Sequence, residues 1–259
     1  MLEPRRSAGE QSELLYVVMP VYNEQVSVAG VVREWAKVLN QLALRWVLLA
    51  VDDGSTDGTP AELESLREEV PNLETYSKRN GGHGQACVEG YQLAVAKGAA
   101  WVLQIDSDGQ CDPRYFPELW RRRQRFAAVF GARVSRDDGA ARSVISWCCR
   151  LATRAATGVR VRDPNVPYRL MRADVLAQVL SGFPSDFRLA NVLVAVVLQK
   201  GLAGQLAFVE IGFRDRAGGQ PSVKWTRFVS EGVKLCWALL GAREFAGRRA
   251  DAVAIAVRA

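Results

Sequence analysis

Apolar runs of strand length alternate with helix-period segments through the first half of the chain, and few folds accommodate that rhythm. Strands read at Leu14 to Met19, Trp46 to Val51, Leu73 to Ser77, Trp101 to Ile105 and Ala127 to Gly131. Helices read between them at Val26 to Leu42, Pro60 to Glu69, Gly84 to Lys97 and Pro113 to Arg125. The alternation predicts an α/β fold, a mostly parallel sheet flanked by helices. Beyond Gly131 the rhythm breaks. A helix-like stretch from Ala140 to Thr157 leads to the irregular Asp163 to Tyr168, then helices at Ala173 to Leu180 and Asp186 to Gln199 and a strand at Leu206 to Ile211. Asp215 to Lys224 reads as a glycine-bearing loop, and Trp225 to Leu240 as an amphipathic helix that either lies on a membrane surface or closes the core of the domain.

These elements predict a single domain over 14–245, between a disordered N-terminal segment, 1–13, and a disordered tail, 246–259. With 259 residues, 49% of them hydrophobic, the chain can bury a sizeable core. Its net charge of +6 suits a phosphorylated ligand, nucleic acid or an anionic membrane surface. Cys87, Cys111, Cys148, Cys149 and Cys236 show no C-x-x-C spacing, and His83 alone cannot complete a zinc set with them, so reduced thiols are expected. The apolar stretches fall far short of the roughly 20 residues that cross a bilayer. A cytoplasmic protein is expected, peripheral at most to the cytosolic membrane face.

The strands end in polar turns of a particular kind. Trp101 to Ile105 runs into Asp106-Ser107-Asp108-Gly109-Gln110, and Trp46 to Ala50 into Val51-Asp52-Asp53-Gly54-Ser55-Thr56-Asp57-Gly58-Thr59. Open α/β sheets bind ligands outside the carboxyl ends of their strands, so both acidic clusters fall where a ligand is expected. Carboxylates two apart in extended chain point the same way, and two hard oxygen donors suit Mg²⁺ or Mn²⁺ carrying a diphosphate. Asp57 reads instead as an N-cap for the helix beginning near Thr59-Pro60. The first strand closes in Pro20-Val21-Tyr22-Asn23-Glu24, where Pro20 stops the ladder and Asn23 and Glu24 can hydrogen-bond a base or ribose, the alternative being that Asn23 caps the next helix. Arg79-Asn80-Gly81-Gly82-His83-Gly84 opens a helix with glycines that let a phosphate approach the backbone N–H groups.

Other readings of the same residues are poorer. A dinucleotide fingerprint would place G-x-G-x-x-G after the first strand, whereas the glycines here follow the third. No P-loop and no G-x-S-x-G elbow occurs, and one histidine leaves little room for a Ser-His-Asp hydrolase.

Taken in order, Val17 to Glu24, Val51 to Thr59, Arg79 to Gly84 and Asp106 to Pro113 resemble the family 2 glycosyltransferases of the GT-A fold. The Asp-x-Asp-Gly-Gln-x-x-Pro element is similar to that of the dolichol-phosphate mannose synthase and polyprenyl-phosphate glycosyltransferase branch, with Cys111 where that branch usually has histidine. The resemblance implies a GT-A type, Rossmann-like sheet with a nucleotide-sugar half, 14–135, and an acceptor half, 136–245. It implies that Pro20, Tyr22, Asn23, Glu24, Asp52, Asp53, Arg79, Asn80, Gly84, Asp106 and Ser107 bind the nucleotide sugar, a GDP- or UDP-hexose. Asp106, Asp108 and Gln110 would bind a divalent metal.

In the second half, Gly131-Ala132-Arg133 looks like the branch's Gly-Ser-Arg, and Tyr168-Arg169-Leu170 stands where Gly-Phe-Arg-Leu is usual. Phe213-Arg214-Asp215-Arg216 through Lys224 resembles its Arg and Ser-Lys loop. Arg133, Arg169, Arg214, Arg216 and Lys224 join Asp106 and Asp108 as implied catalytic groups. Asp163, in a stretch that departs from the branch, would be the base for a hydroxyl acceptor. The implied reaction is inverting, metal-dependent hexose transfer to a polyprenyl phosphate, with Trp225 to Leu240 available to a membrane surface or a membrane protein and no role for nucleic acid. Alternatives are a soluble enzyme acting on a hydroxyl acceptor such as a natural product or polysaccharide, a catalytically silent nucleotide-binding partner subunit, and a nucleotidyltransferase.

Overall fold

A computed structural model describes residues 13–42, 44–133, 153–154, 157–159, 161–162, 166–184, 190–214 and 237–258. The strands are β1 (Leu14–Val21), β2 (Arg45–Asp52), β3 (Leu73–Ser77), β4 (Trp101–Gln104), β5 (Ala128–Arg133), β6 (Arg169–Arg172) and β7 (Leu206–Ile211). The helices are α1 (Val28–Gln41), α2 (Thr59–Glu69), α3 (His83–Ala96), α4 (Phe116–Arg122), α5 (Ala173–Leu180), α6 (Ala190–Gly201) and α7 (Arg243–Arg258), with a 3₁₀ turn at Pro113–Tyr115. One 7-stranded sheet runs in the order β3-β2-β1-β4-β6-β5-β7. Its β3, β2, β1 and β4 are mutually parallel, and β7 is parallel to β5. Only β6 runs against its neighbours, β4 and β5.

Each inner strand alternates between two cores because successive side chains point to opposite faces. From β1, Tyr16 and Val18 pack with α3, α5, α6 and α7, while Leu15, Val17 and Met19 pack with α1, α2 and α4. Helix α3 lies close to the sheet at Gly90, where a Cβ would stand 2.4 Å from Val18 Cγ1. The chain leaves β1 for β2 on one side and returns through α3 to β4 on the other, so the strand order reverses between β1 and β4. That reversal opens a crevice at the carboxyl ends of the strands.

Three expectations change. Pro20 does not end β1, which continues to Val21. Val18 accepts from Ile105 N–H and Val21 from Asp53 N–H, so the missing donor of Pro20 falls on the β4 side, beyond the last pair there. Second, Arg169–Arg172, to which the sequence reading gave no element, is a strand, held by ladders on both sides. Third, the tail expected to be disordered from 246 forms α7. Its Ala246, Ala250 and Val253 recur on one helical face and are buried against the core, with Gly201 leaving room for the Ala250 carbonyl. Val253→Asp should therefore cost about 2 kcal/mol or more through a buried unpaired charge, read as a fall in Tm. A tail without structure would leave Tm unchanged.

Among the described residues no helix is long and apolar enough to cross a membrane. The expected helix Trp225 to Leu240 lies mostly outside them. Its last residues are helical, with Leu239 buried and Trp237 and Leu240 exposed. The segments 1–12 and 140–152 also lie outside the described residues.

Candidate active site

Three strand ends build the rim of the crevice, and hydrogen bonds between them fix its shape. After β1, Asn23 takes a positive φ of 53°. Its N–H donates to Ser55 Oγ at 2.9 Å, and its Oδ1 accepts from Thr56 N–H at 2.8 Å. Glu24 N–H donates to Thr59 Oγ1 at 2.9 Å, and its carboxylate accepts from the Ser27 hydroxyl. Asn23 and Glu24 thus bind the first turn to the second, and Tyr22 stands exposed beside them. Asp57 Oδ1 accepts from Thr59 N–H at 3.0 Å, but the N-cap of α2 is Gly58, one position after the residue that the sequence suggested.

The second turn rests on two buried carboxylates. Asp52 Oδ1 accepts from Ser55 N–H at 3.0 Å, closing the turn. Asp53 Oδ1 accepts from Lys78 Nζ and from Gly81 N–H, both at 2.9 Å, and Oδ2 accepts from Gly82 N–H at 2.7 Å. Lys78 also reaches Glu89 at 3.4 Å and donates to the Arg79 carbonyl at 2.8 Å. Burial opposes the lysine charge, but Asp53 and then Glu89 outweigh it, and Lys78 stands above the ordinary lysine range. Sequence reasoning missed Lys78. The signal was a cation directly after a strand, whose buried partner lies 25 positions away.

That clamp sets the start of α3. Gly82 takes a φ of 91° and accepts from Gln85 and Ala86 N–H, and Gly84 is buried in the first turn. Arg79 and Asn80 are exposed on the rim. His83 turns inward from the first turn, its Nε2 lying 3.7 Å from Asp106 Oδ1.

At the end of β4 the two acids differ. The Asp106 side chain is 29% exposed, with its Oδ1 buried. Asp108 is 4% exposed, and its Oδ1 accepts from Gln110 N–H at 3.0 Å across Gly109, whose φ is 79°. Ser107 is buried between them. Cys111 is buried as well, and burial first, then Asp106, pushes its thiol up. It packs in the core and offers nothing to the crevice. Among the described residues no group of three or more His, Cys, Asp or Glu gathers as a metal centre. Asp106 and Asp108 offer two hard carboxylates, a donor type that would suit a Mg²⁺ or Mn²⁺ ion taking its other ligands from phosphate oxygens and water.

The implied cations fall in different places. Arg133 is exposed at the end of β5, its guanidinium 5.4 Å from the Phe213 ring centroid. Arg214 binds Glu34 at 2.7 Å and Asp112 at 2.8 Å, while its N–H donates to the Gln110 carbonyl at 3.2 Å. Gln110 Nε2 donates back to the Arg214 carbonyl at 3.2 Å. Arg214 therefore braces the acidic loop. Arg169 lies beneath the rim, not on it: fully buried, it donates from Nη1 to the Asn191 carbonyl at 2.7 Å and lies 5.1 Å from the Phe130 centroid. Its side chain points into the core because Arg169 pairs with Gln104 and Phe130 in the middle of the sheet. Asp163, Arg216 and Lys224 lie outside the described residues.

The model of glycosyl transferase family 2 matches residues 16–180. The dodecaprenyl-phosphate galacturonate synthase of Rhizobium johnstonii is 31% identical over 214 residues, 80% of this chain and 62% of the relative. The undecaprenyl-phosphate 4-deoxy-4-formamido-L-arabinose transferase of Pseudomonas aeruginosa is 26% identical over 221 residues, 84% of this chain and 62% of the relative. The chain thus spans somewhat under two thirds of the length of these relatives. Among solved structures, glucosyl-3-phosphoglycerate synthase from Mycobacterium tuberculosis, in complex with Mn²⁺ and UDP-glucose, superposes with a TM-score of 0.65 at 17% identity, covering 90% of this chain and 81% of its own. At that identity the likeness speaks to the fold, and it bears out the expected GT-A architecture.

Proposed function

This chain belongs to glycosyl transferase family 2, and on that premise we propose that it transfers a hexose from a nucleoside diphosphate sugar to a polyprenyl phosphate, inverting the anomeric carbon. The observation that carries the reading is the meeting of the Asp52-Asp53 turn, the Gly81-Gly82 start of α3 and the Asp106–Asp108 loop in one crevice. The names of the two relatives support a polyprenyl phosphate as acceptor. The Mn²⁺ and UDP-glucose held by the solved neighbour support a divalent ion and make UDP the first base to test.

Asp106 and Asp108 would hold the ion, with Gln110 on the same loop. When bound, the ion neutralises the diphosphate and makes it a better leaving group. Tyr22, Asn23, Asp52 and Asp53 frame the nucleoside side of the crevice, and Arg133 offers a guanidinium to a phosphate. The acceptor phosphate is largely ionised near neutral pH, its second pKa being about 6, so a direct displacement needs no general base. The exposed Trp237 and Leu240 support a peripheral contact with the membrane that carries such a lipid.

Nucleotide binding tests the nucleoside side of this assignment. Asp53→Ala removes the anchor of two glycine N–H groups and Lys78, and should weaken Mn²⁺-supported UDP binding by about 1–3 kcal/mol. Calorimetry with UDP and GDP reads this, and unchanged affinity would contradict the role given to the turn.

A further inference from the structure

Arg214, just beyond β7, fastens three other parts of the fold together. Its guanidinium lies 2.7 Å from Glu34 on α1 and 2.8 Å from Asp112 Oδ1 at the head of the 3₁₀ turn. Asp112 is buried and also accepts from Arg114 N–H at 2.9 Å. Gly212 lets the chain leaving β7 approach this turn, since a Cβ there would stand 3.1 Å from the Tyr115 hydroxyl. The Arg214 main chain then meets Gln110 twice. Its N–H donates to the Gln110 carbonyl and its carbonyl accepts from Gln110 Nε2, both at 3.2 Å. A carbonyl can only accept, so the end of the carboxamide that faces it is the NH₂, and the amide oxygen is left at the other corner. Gln110 N–H is given to Asp108, two positions back.

We propose that Arg214, seated between Glu34 and Asp112, is a positioning residue that selects the oxygen of the Gln110 carboxamide as a ligand for the divalent ion on the acidic loop. The inference rests on the reading of that loop as the ion's site. Hard cations take amide oxygen, not amide NH₂, so a carboxamide free to turn over would oppose the ion for part of the time. The Arg214 carbonyl holds one orientation, and it can do so only while its own residue is fixed. The guanidinium supplies that fixity, a planar fork between two carboxylates that keeps its charge at any working pH. Groups that orient metal ligands typically carry about 10- to 100-fold in metal affinity.

The test is a calorimetric titration of Mn²⁺ into the protein with UDP present, beside a titration of UDP without metal. Gln110→Ala and Arg214→Ala should each raise the half-saturating Mn²⁺ concentration about 10-fold or more, with metal-free UDP binding unchanged. Arg214→Lys, which keeps a cation on Asp112 without the fork, should recover part of the loss. The double variant should lie within about twofold of the weaker-binding single variant, because without the amide the arginine has nothing to orient. Wild-type half-saturation in Arg214→Ala would overturn the inference. So would losses that multiply in the double variant, or an equal loss of metal-free UDP binding, which marks a displaced loop. Wild-type half-saturation in Gln110→Ala, or wild-type protein whose UDP binding gains nothing from Mn²⁺, would overturn the reading of the loop itself, and both are known before any Arg214 variant is compared.

Discussion

Asp106→Asn is expected to lower turnover by at least ~10²-fold, the scale of removing one electrostatic stabiliser, without unfolding the protein. The amide keeps the shape of the side chain and removes its charge, and the partly exposed group carries little of the core's packing. Asp108 calls for the same substitution for a different reason. Its Oδ1 accepts from Gln110 N–H, so alanine would release the loop together with the charge. Asp108→Asn retains that acceptor and should show a comparable loss. Steady-state rates over a Mn²⁺ series measure both, and near wild-type rates with ordinary metal dependence would remove these acids from the chemistry.

Arg169→Ala should act on stability. A large buried side chain is lost, and the Asn191 carbonyl loses its donor, together costing about 2–5 kcal/mol. For a domain of this size the fall in Tm is on the order of 10 °C. Arg169→Met, which keeps most of the volume beside Phe130, should fall less. An Arg169→Ala protein with an unchanged Tm and a lowered turnover would contradict this and favour the catalytic role that the resemblance implies.

The half of the fold around β1 to β4 was legible because its signals are local. Apolar runs and helical periods mark their own boundaries, and Leu73–Ser77, Ala173–Leu180 and Leu206–Ile211 agree with the structure to the residue. The strand Arg169–Arg172 was not legible. Four residues with a cation at each end carry no strand pattern, and the segment is extended only because β4 and β5 pair with it from both sides. Helix α7 was missed for a related reason. Its buried face is largely alanine, which reads as weakly hydrophobic until α5 and α6 cover it.

The site divides along the same line. Asp52, Asp53, Asp106 and Asp108 were visible because a strand end followed by acids is a local pattern with a known place in an open sheet. Contacts that tie the elements around those acids together come from far along the chain. His83 and Asn191 are 108 positions apart, and Gln110 and Arg214 are 104. Spacing within a motif cannot reveal such pairs, nor that the Arg214 guanidinium holds Glu34 and Asp112.

Transfer of labelled sugar tests the central claim most directly. UDP- and GDP-linked hexoses, each labelled in the sugar, are incubated with the protein, a polyprenyl phosphate and Mn²⁺ or Mg²⁺, and the label is followed into an organic extract. The account predicts extractable label with at least one donor, lost when the lipid phosphate is omitted, when the divalent ion is chelated, or when Asp106→Asn replaces the wild-type protein. Label that stays in the aqueous phase with every donor, or extractable label that persists without a divalent ion, would contradict it.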